Sequence, residues 1–158
     1  GLRPTGDRAR ETLFNWLMPA LPGARVLDLF AGSGALGLEA VSRGAASAVL
    51  VERDAAQAAR LREAVAKLGA NGQVTVVQDD ALRWLAPAPP AAFDIVFLDP
   101  PFAAGLLPQL LPSLPPHLAA AAWIYAEAPD ALGDVPPGWV EHRQMRTRET
   151  CCTVYRAQ

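Results

Sequence analysis

Cysteine is nearly missing from this chain of 158 residues, and its two copies, Cys151 and Cys152, are adjacent. Neighbouring side chains on a strand point to opposite faces, so this pair is poorly placed to bridge. A disulfide scaffold is excluded, and a reducing compartment is the natural setting. No stretch of about 18 consecutive apolar residues occurs, and the N-terminus lacks the basic, apolar and small-residue order of a signal peptide. We therefore expect a soluble cytoplasmic protein with no membrane partner. There is no C-x-x-C and no H-E-x-x-H, and His117 and His142 show no ligand spacing, so no metal is expected. A catalytic cysteine is not expected either, because Cys151 and Cys152 should lie far from the strand ends where a cofactor would sit. The first residue is Gly1 rather than Met, from which we expect that an N-terminal piece precedes it.

The length and the 51% hydrophobic content suit one domain that buries roughly 70% of its unfolded surface. We expect a single unit over 1–158, with a leading helix in 1–20, βα units and a catalytic loop in 21–128, and closing strands in 129–158. The formal charge of -2 excludes a strongly basic nucleic-acid wrapper. Charge is nonetheless unevenly spread. Arg3, Arg8 and Arg10 outweigh Asp7 at one end, and Arg143, Arg146, Arg148 and Arg156 outweigh Glu149 at the other, leaving an acidic middle. These ends can form a basic rim for phosphate contacts. Only Lys67 among the 14 basic residues is lysine.

Strand-like runs alternate with helical patterns: 25–30 and a helix from Gly34, 48–52 and a helix over 55–68, 74–78 and a short helix from Ala81, then 93–99 and 122–127. This is the rhythm of βαβ units around a parallel sheet covered on both faces. In the helix at 55–68, Ala58, Leu61, Ala64, Val65 and Leu68 recur at spacings of three and four, and Gly69 is placed as its C-cap. A leading helix over about 7–18 carries Ala9, Leu13, Phe14 and Leu17 on one side and is stopped by Pro19 and Pro22. Beyond Trp139 there is no room for another helical crossover, so two closing strands joined by a short turn are expected, one of them antiparallel to the sheet. Trp16, Trp84, Trp123 and Trp139 read as packing residues.

Residues Val26 to Gly37 read as strand, tight turn and helix start, with glycines at 32, 34 and 37 in a G-x-G-x-x-G spacing. Such glycines allow a sharp turn and close approach to a cofactor. Glu52 ends the next strand, 20 residues after Gly32, where an acid can accept hydrogen bonds from ribose hydroxyls. A nicotinamide cofactor would share these features. Asp28, four residues before the first glycine, separates the two, because its carboxylate suits the ammonium of a methionine moiety, directly or through water, and repels a pyrophosphate. We therefore expect S-adenosylmethionine. Ala31, Gly32, Ser33 and Gly34 would cradle its methionine end. After the third strand, Asp80 can accept from the adenine amine while the Ala81 N–H donates to a ring nitrogen; Asp80 can also cap the following helix, and both roles can hold together. Asp79 reads as a solvated neighbour.

The next strand runs through Phe93-Asp94-Ile95-Val96-Phe97-Leu98 into Asp99-Pro100-Pro101-Phe102. The two prolines end the ladder and stiffen the loop. An exocyclic amine of a base is a weak nucleophile, because its lone pair is delocalised into the ring. Asp99 can accept one of its N–H bonds and the Pro100 carbonyl the other, turning the lone pair toward a methyl donor. Phe102 can stack on the base, a contact worth about 1–3 kcal/mol.

With these motifs the chain resembles the bacterial RsmD-type methyltransferases, which act on the N2 amine of a guanine in small-subunit 16S ribosomal RNA. The resemblance covers nearly the whole chain. It is carried by Arg3-Pro4-Thr5 with Asp7-Arg8, by Arg10 to Asn15, by Asp28 to Ala40, and by Asp99 to Phe102. The first block is the most specific to the family, although Gly6 stands where relatives often carry a polar residue. The resemblance implies a class I, Rossmann-like α/β fold with a seven-stranded, mostly parallel sheet and helices on both faces. It also implies S-adenosylmethionine as cofactor and ribosomal RNA as partner, within a 30S particle or an assembly intermediate. By the same resemblance, Asp99, Pro100, Pro101 and Phe102 form the catalytic loop, Gly32 and Gly34 hold methionine, Glu52 the ribose, and Asp80 with Ala81 the adenine. Arg8 and Arg10 are the expected RNA contacts.

Two other functions fit parts of this pattern. An adenine-N6 DNA methyltransferase would use the same amine-activating loop on a flipped base, but the chain has no room for a target-recognition insert. A non-catalytic binding protein of the same fold would not need Asp99, Phe102 and the glycine loop intact.

Overall fold

The structure, a computed structural model, describes residues 6–87, 92–100, 105–147 and 149–158. Helix α1 (Asp7–Leu17) leads into strand β1 (Arg25–Asp28), followed by α2 (Ala35–Ser42), β2 (Ser47–Glu52), α3 (Ala55–Lys67), β3 (Val74–Gln78) and α4 (Ala81–Leu85). Then come β4 (Phe93–Leu98), α5 (Leu106–Leu110), β5 (Leu118–Ala128), β6 (Trp139–Arg146) and β7 (Cys151–Ala157). The seven strands form one sheet in the order β3-β2-β1-β4-β5-β7-β6. The first five run parallel, and β7 lies antiparallel between β5 and β6. The expected seven-stranded, mostly parallel α/β sheet is therefore present. Its chain order reverses between β1 and β4, and open α/β sheets bind ligands at the carboxyl ends of the strands at such a point.

Alternation along the strands divides the core in two. Val26, Ile95, Phe97, Trp123 and Tyr125 face one way and pack with Leu13 and Phe14 of α1, Leu36 and Ala40 of α2, and Leu61 and Val65 of α3. Leu27, Val96, Leu98 and Ile124 face the other way, against Leu85 of α4 and Leu107 and Leu110 of α5. The β1 and β4 strands are buried on both faces, as near-continuous apolar runs in a parallel sheet should be. Phe14 packs at 6.0 Å from Phe97, whose ring meets Tyr125 edge-on at 6.3 Å.

Helix α3 ends as its capping residues require. The Asp54 side chain accepts from the Gln57 N–H at 2.8 Å, and Gly69 takes a φ of 68° just past the last turn. Leu68 departs from the expected apolar stripe. The helix stops at Lys67, and Leu68 is 67% exposed.

Helix α5 was not anticipated among the prolines of this stretch. Pro108 lies in its first turn, where a missing N–H costs little, and the true signal is the three- and four-residue spacing of Leu107, Leu110, Leu111 and Leu114, all buried. Strand β5 also begins earlier than expected. Its register against β4 jumps between Phe93↔Leu118 and Ile95↔Trp123, with Ala121 at a φ of 56° in the irregularity. An alanine run carries little strand signal, so the sequence marks only the part over 122–127.

The tryptophans pack as anticipated. Trp84 lies against Phe93 and His117, Trp139 against Tyr155, and Trp123 between His142 and the Arg156 guanidinium. His117 is buried with Nε2 2.8 Å from the Leu85 carbonyl. Among the described residues no group of His, Cys, Asp and Glu is arranged to hold a metal, and no helix is long and apolar enough to cross a membrane.

Candidate functional site

The site forms where β1, β2, β3 and β4 end. After β1 the chain turns through Ala31-Gly32-Ser33-Gly34, held by Ala31 N–H to the Val51 carbonyl at 3.0 Å and Gly34 N–H to the Ala31 carbonyl at 2.7 Å. Gly32 (φ 55°) has open space where a Cβ would stand. Gly34 (φ 84°) starts α2 from the left-handed region, and a Cβ there would lie 2.6 Å from Leu61 Cδ2. Gly37 allows α2 to lie flat on the sheet, because its Cβ would meet Leu50 Cδ2 at 2.3 Å. The three glycines thus divide into one that faces open space and two that permit close packing.

Glu52 reaches back across this turn. Its Oε1 accepts the Gly32 N–H at 2.9 Å and its Oε2 the Asp54 N–H at 2.9 Å. A carboxylate offers about four acceptor positions, so Glu52 can accept from further donors. Gln57, which sequence reasoning missed, completes the clamp by donating from Nε2 to the Gly32 carbonyl at 2.6 Å. Its position one turn into α3 gave no motif by which to find it.

Asp28 ends β1 with only 1% of its surface exposed, and its Oδ1 accepts the Phe30 N–H at 3.3 Å. At the end of β3, Asp80 caps α4 by accepting the Arg83 N–H at 3.2 Å, while the Ala81 N–H opens the helix. Asp79 is not a simple solvated neighbour. Its Oδ1 accepts the Asp80 N–H at 2.8 Å and it lies 3.8 Å from Arg83, so it shapes the turn that presents Asp80. A cavity of about 350 Å³ opens here between Arg53, Gln78, Asp79, Asp80 and Arg83. Ser33 is exposed at the rim of the glycine turn.

Asp99 and Pro100 follow β4 directly, and both are buried. Asp28 is in register with Phe97, so Asp99 stands two residues beyond it on the neighbouring strand. Pro101 and Phe102, the other half of the expected catalytic loop, lie outside the described residues, as do Arg3, Thr5 and Arg148. Arg8 is exposed on α1. Arg10, the second expected RNA contact, ion-pairs with Asp7 at 2.9 Å and Glu39 at 3.7 Å and so ties α1 to α2.

Among the described residues the basic rim is only partly assembled. Arg146 lies at the carboxyl end of the sheet, in register with Cys151 and through it with Ala128, and pairs with Asp130 at 3.1 Å. Arg156 lies at the opposite end, over Trp123 at 4.2 Å.

The cysteines need a correction. Because β7 runs antiparallel, its first residues reach the site end of the sheet, and Cys152 is in register with Glu127 of β5. Burial pushes the Cys152 thiol upward, and the negative charges of Glu127 and Asp99 add to this. A thiol so disposed is a poor nucleophile, so position does not make it catalytic. Tyr125, also missed, donates its hydroxyl to Glu127 Oε1 at 2.6 Å and is held far above its ordinary value by burial and then by the Glu127 charge.

Both shifts are upward, so the folded chain holds these protons more tightly than the unfolded one. The corresponding stability is fully present below the ordinary values of 9.0 for Cys152 and 10.0 for Tyr125, and is lost as pH rises beyond them. Thermal melts should show a steeper decline above pH 9 in the wild type than in Cys152→Ala/Tyr125→Phe.

Comparison with known proteins shows the family. The model of the family described as conserved hypothetical protein 95 matches residues 1–156. The ribosomal RNA small subunit methyltransferase D of Escherichia coli K12 is 45% identical over 162 aligned positions, which cover 100% of this chain and 81% of that protein. A solved Escherichia coli structure, described as a methyltransferase candidate yhhF, superimposes with a TM-score of 0.94 at 44% identity over 100% of this chain and 88% of the other. An RNA methyltransferase from Salinibacter ruber, solved with S-adenosyl-L-homocysteine, shares the fold at a TM-score of 0.74 and 17% identity, covering 98% of this chain and 93% of that one. The chain therefore belongs to the conserved hypothetical protein 95 family, the RsmD-type family of ribosomal RNA small subunit methyltransferase D.

Proposed function

We propose that this chain methylates ribosomal RNA, transferring a methyl group from S-adenosylmethionine to the exocyclic N2 amine of a guanine in small-subunit RNA. The observation that carries this reading is the buried Asp99-Pro100 strand end on β4, beside Asp28 on β1 and the Gly32–Glu52 clamp between β1 and β2. The open space over Gly32, the further acceptor capacity of Glu52 and the Asp80-Ala81 corner fit a methionine, a ribose and an adenine in sequence. The names of the relatives and the S-adenosyl-L-homocysteine bound in the Salinibacter ruber structure support the same cofactor and substrate class.

When bound, S-adenosylmethionine would supply an electrophilic methyl on a sulfonium whose leaving group is a neutral thioether. Asp28 would neutralise the methionine ammonium, and Glu52 would hold the ribose. Asp99 and the Pro100 carbonyl would each accept one N–H of the target amine, freeing the nitrogen lone pair to form the new N–C bond. Asp99 would take the proton that the nitrogen sheds. Holding the two reactants in line can contribute about 7–11 kcal/mol of the barrier reduction. Arg8 would meet the RNA backbone, and Phe102 would stack on the base.

Labelled methyl transfer to immature small-subunit particles, naked ribosomal RNA and duplex DNA tests this. Label in the RNA of the particles is expected. Label confined to DNA would favour the adenine-N6 reading instead, and no binding of S-adenosylmethionine by calorimetry would leave only a non-catalytic role.

A further inference from the structure

Gly32 sits in the left-handed region at φ 55°, and a glycine gives up more conformational freedom on ordering than any other residue. Two peptide planes meet at its Cα, and each is held by a different side chain. Glu52 Oε1 accepts the Gly32 N–H at 2.9 Å, which fixes the plane before it, and Gln57 Nε2 donates to the Gly32 carbonyl at 2.6 Å, which fixes the plane after it. Together they set φ and ψ. The two holders are themselves tied, since Glu52 Oε2 accepts the Asp54 N–H at 2.9 Å and Asp54 Oδ2 accepts the Gln57 N–H at 2.8 Å. The hydrogen bonds therefore close into a ring, from Gly32 to Glu52, Asp54, Gln57 and back to Gly32. Outside the ring stands Arg60, one turn further along α3, whose Nε and Nη2 donate to Gln57 Oε1 at 3.2 and 2.7 Å. A cation on the amide oxygen draws electron density from Nε2 and strengthens its donation to Gly32. It also fixes which way the amide faces. Turned over, Gln57 would set its oxygen against the Gly32 carbonyl and its amino group against the Arg60 guanidinium.

We propose that Gln57, backed by Arg60, is a positioning residue for S-adenosylmethionine, holding the Gly32 peptide in its binding conformation before the cofactor arrives. This rests on the reading of the glycine turn as the cradle of the methionine end. With both planes held, the open space at the Gly32 Cβ position and the Glu52 oxygens keep one geometry. Without Gln57 only the N–H side is held, the plane after Gly32 can rotate, and its ordering must be done on binding. Ordering one backbone residue corresponds to about tenfold in a dissociation constant. S-adenosyl-L-homocysteine lacks only the methyl and the positive charge on sulfur, so it should gain as much from a preformed turn as S-adenosylmethionine does. A direct charge effect would act on the cationic ligand alone.

The test is calorimetry of both ligands with the wild type, Gln57→Met, Gln57→Glu, Arg60→Met and Arg60→Lys, together with the NMR signal of the Gly32 carbonyl carbon in the ligand-free protein. Met keeps the length of Gln57 without a donor, and Glu keeps the acceptor for Arg60 without the donor. Gln, Met and Glu form helix about equally well, so α3 should persist, and melting temperatures within about 4 °C of wild type check this. Both Gln57 variants should bind S-adenosylmethionine and S-adenosyl-L-homocysteine about tenfold more weakly, with the Gly32 carbonyl carbon moved upfield by loss of its hydrogen bond. Arg60→Met should weaken both ligands by about threefold, and Arg60→Lys, which keeps a cationic donor, should stay closer to wild type. Dissociation constants within about twofold of wild type in both Gln57 variants would overturn the proposal. Weaker binding with an unchanged Gly32 carbonyl signal would overturn it too, because it would mark a purely structural role through α3. A wild type that binds neither ligand would instead overturn the cofactor reading and this inference with it, so the two failures are told apart.

Discussion

Asp99→Ala should lower kcat for methyl transfer by roughly 10²–10⁴-fold, the range associated with losing a positioned acid–base group, while S-adenosylmethionine still binds within about threefold of wild-type affinity. The separation follows from the layout of the sheet. The clamp expected to hold the cofactor is built from β1, β2 and the start of α3, through Glu52 and Gln57 on Gly32. Asp99 comes from β4, on the other side of β1. The melting temperature of the variant checks that it folds. Cofactor affinity that collapsed together with kcat would mean that Asp99 holds the cofactor rather than the amine.

Gly34→Ala should damage both folding and cofactor affinity. Its φ of 84° lies in the region that costs an L-residue about 1–2 kcal/mol, and the new methyl would stand 2.6 Å from Leu61 Cδ2. Leu61 is fully packed against the sheet, so its side chain can yield only at an overpacking cost of about 1–3 kcal/mol. Together these predict a loss of about 2–5 kcal/mol and a fall in melting temperature of roughly 5–15 °C. Calorimetry should also show weaker S-adenosylmethionine binding, because the Gly32 turn and the start of α2 are one hydrogen-bonded unit. Gly32→Ala makes the contrast. No heavy atom lies within 4 Å of its Cβ position, so it should lose less stability and act mainly on cofactor binding. A Gly34→Ala variant that melted within about 2 °C of wild type would refute this account of the turn.

The parts of the molecule that could be read from its residues are those governed by local rules. The alternation of apolar runs with helical spacing foretold β1 to β4 and the helices between them, because buried parallel strands and amphipathic helices leave clear periodicities. The G-x-G-x-x-G turn and the acid 20 residues on were legible for the same reason, but the spacing marked Glu52 only as a ribose acceptor and did not foretell its hydrogen bond to the Gly32 N–H. Features created by pairing between distant segments were not legible. The jump in register between β4 and β5 and the early start of β5 depend on how an alanine run meets Phe93 and Ile95. That Cys152 reaches the site end follows only from the antiparallel insertion of β7, and the row of Asp99, Glu127 and Cys152 exists only once β4, β5 and β7 are in register. Gln57 and Tyr125 carry no motif, and their roles come from the atoms they meet across the fold.

The central claim is the atom methylated. Nucleoside mass spectrometry of small-subunit ribosomal RNA, taken from particles treated with this protein and S-adenosylmethionine, reads that atom directly. The account predicts N2-methylguanosine, absent when Asp99→Ala replaces the wild type. Methylation of adenine N6, of a ring carbon or of a ribose hydroxyl, with no N2-methylguanosine, would contradict it.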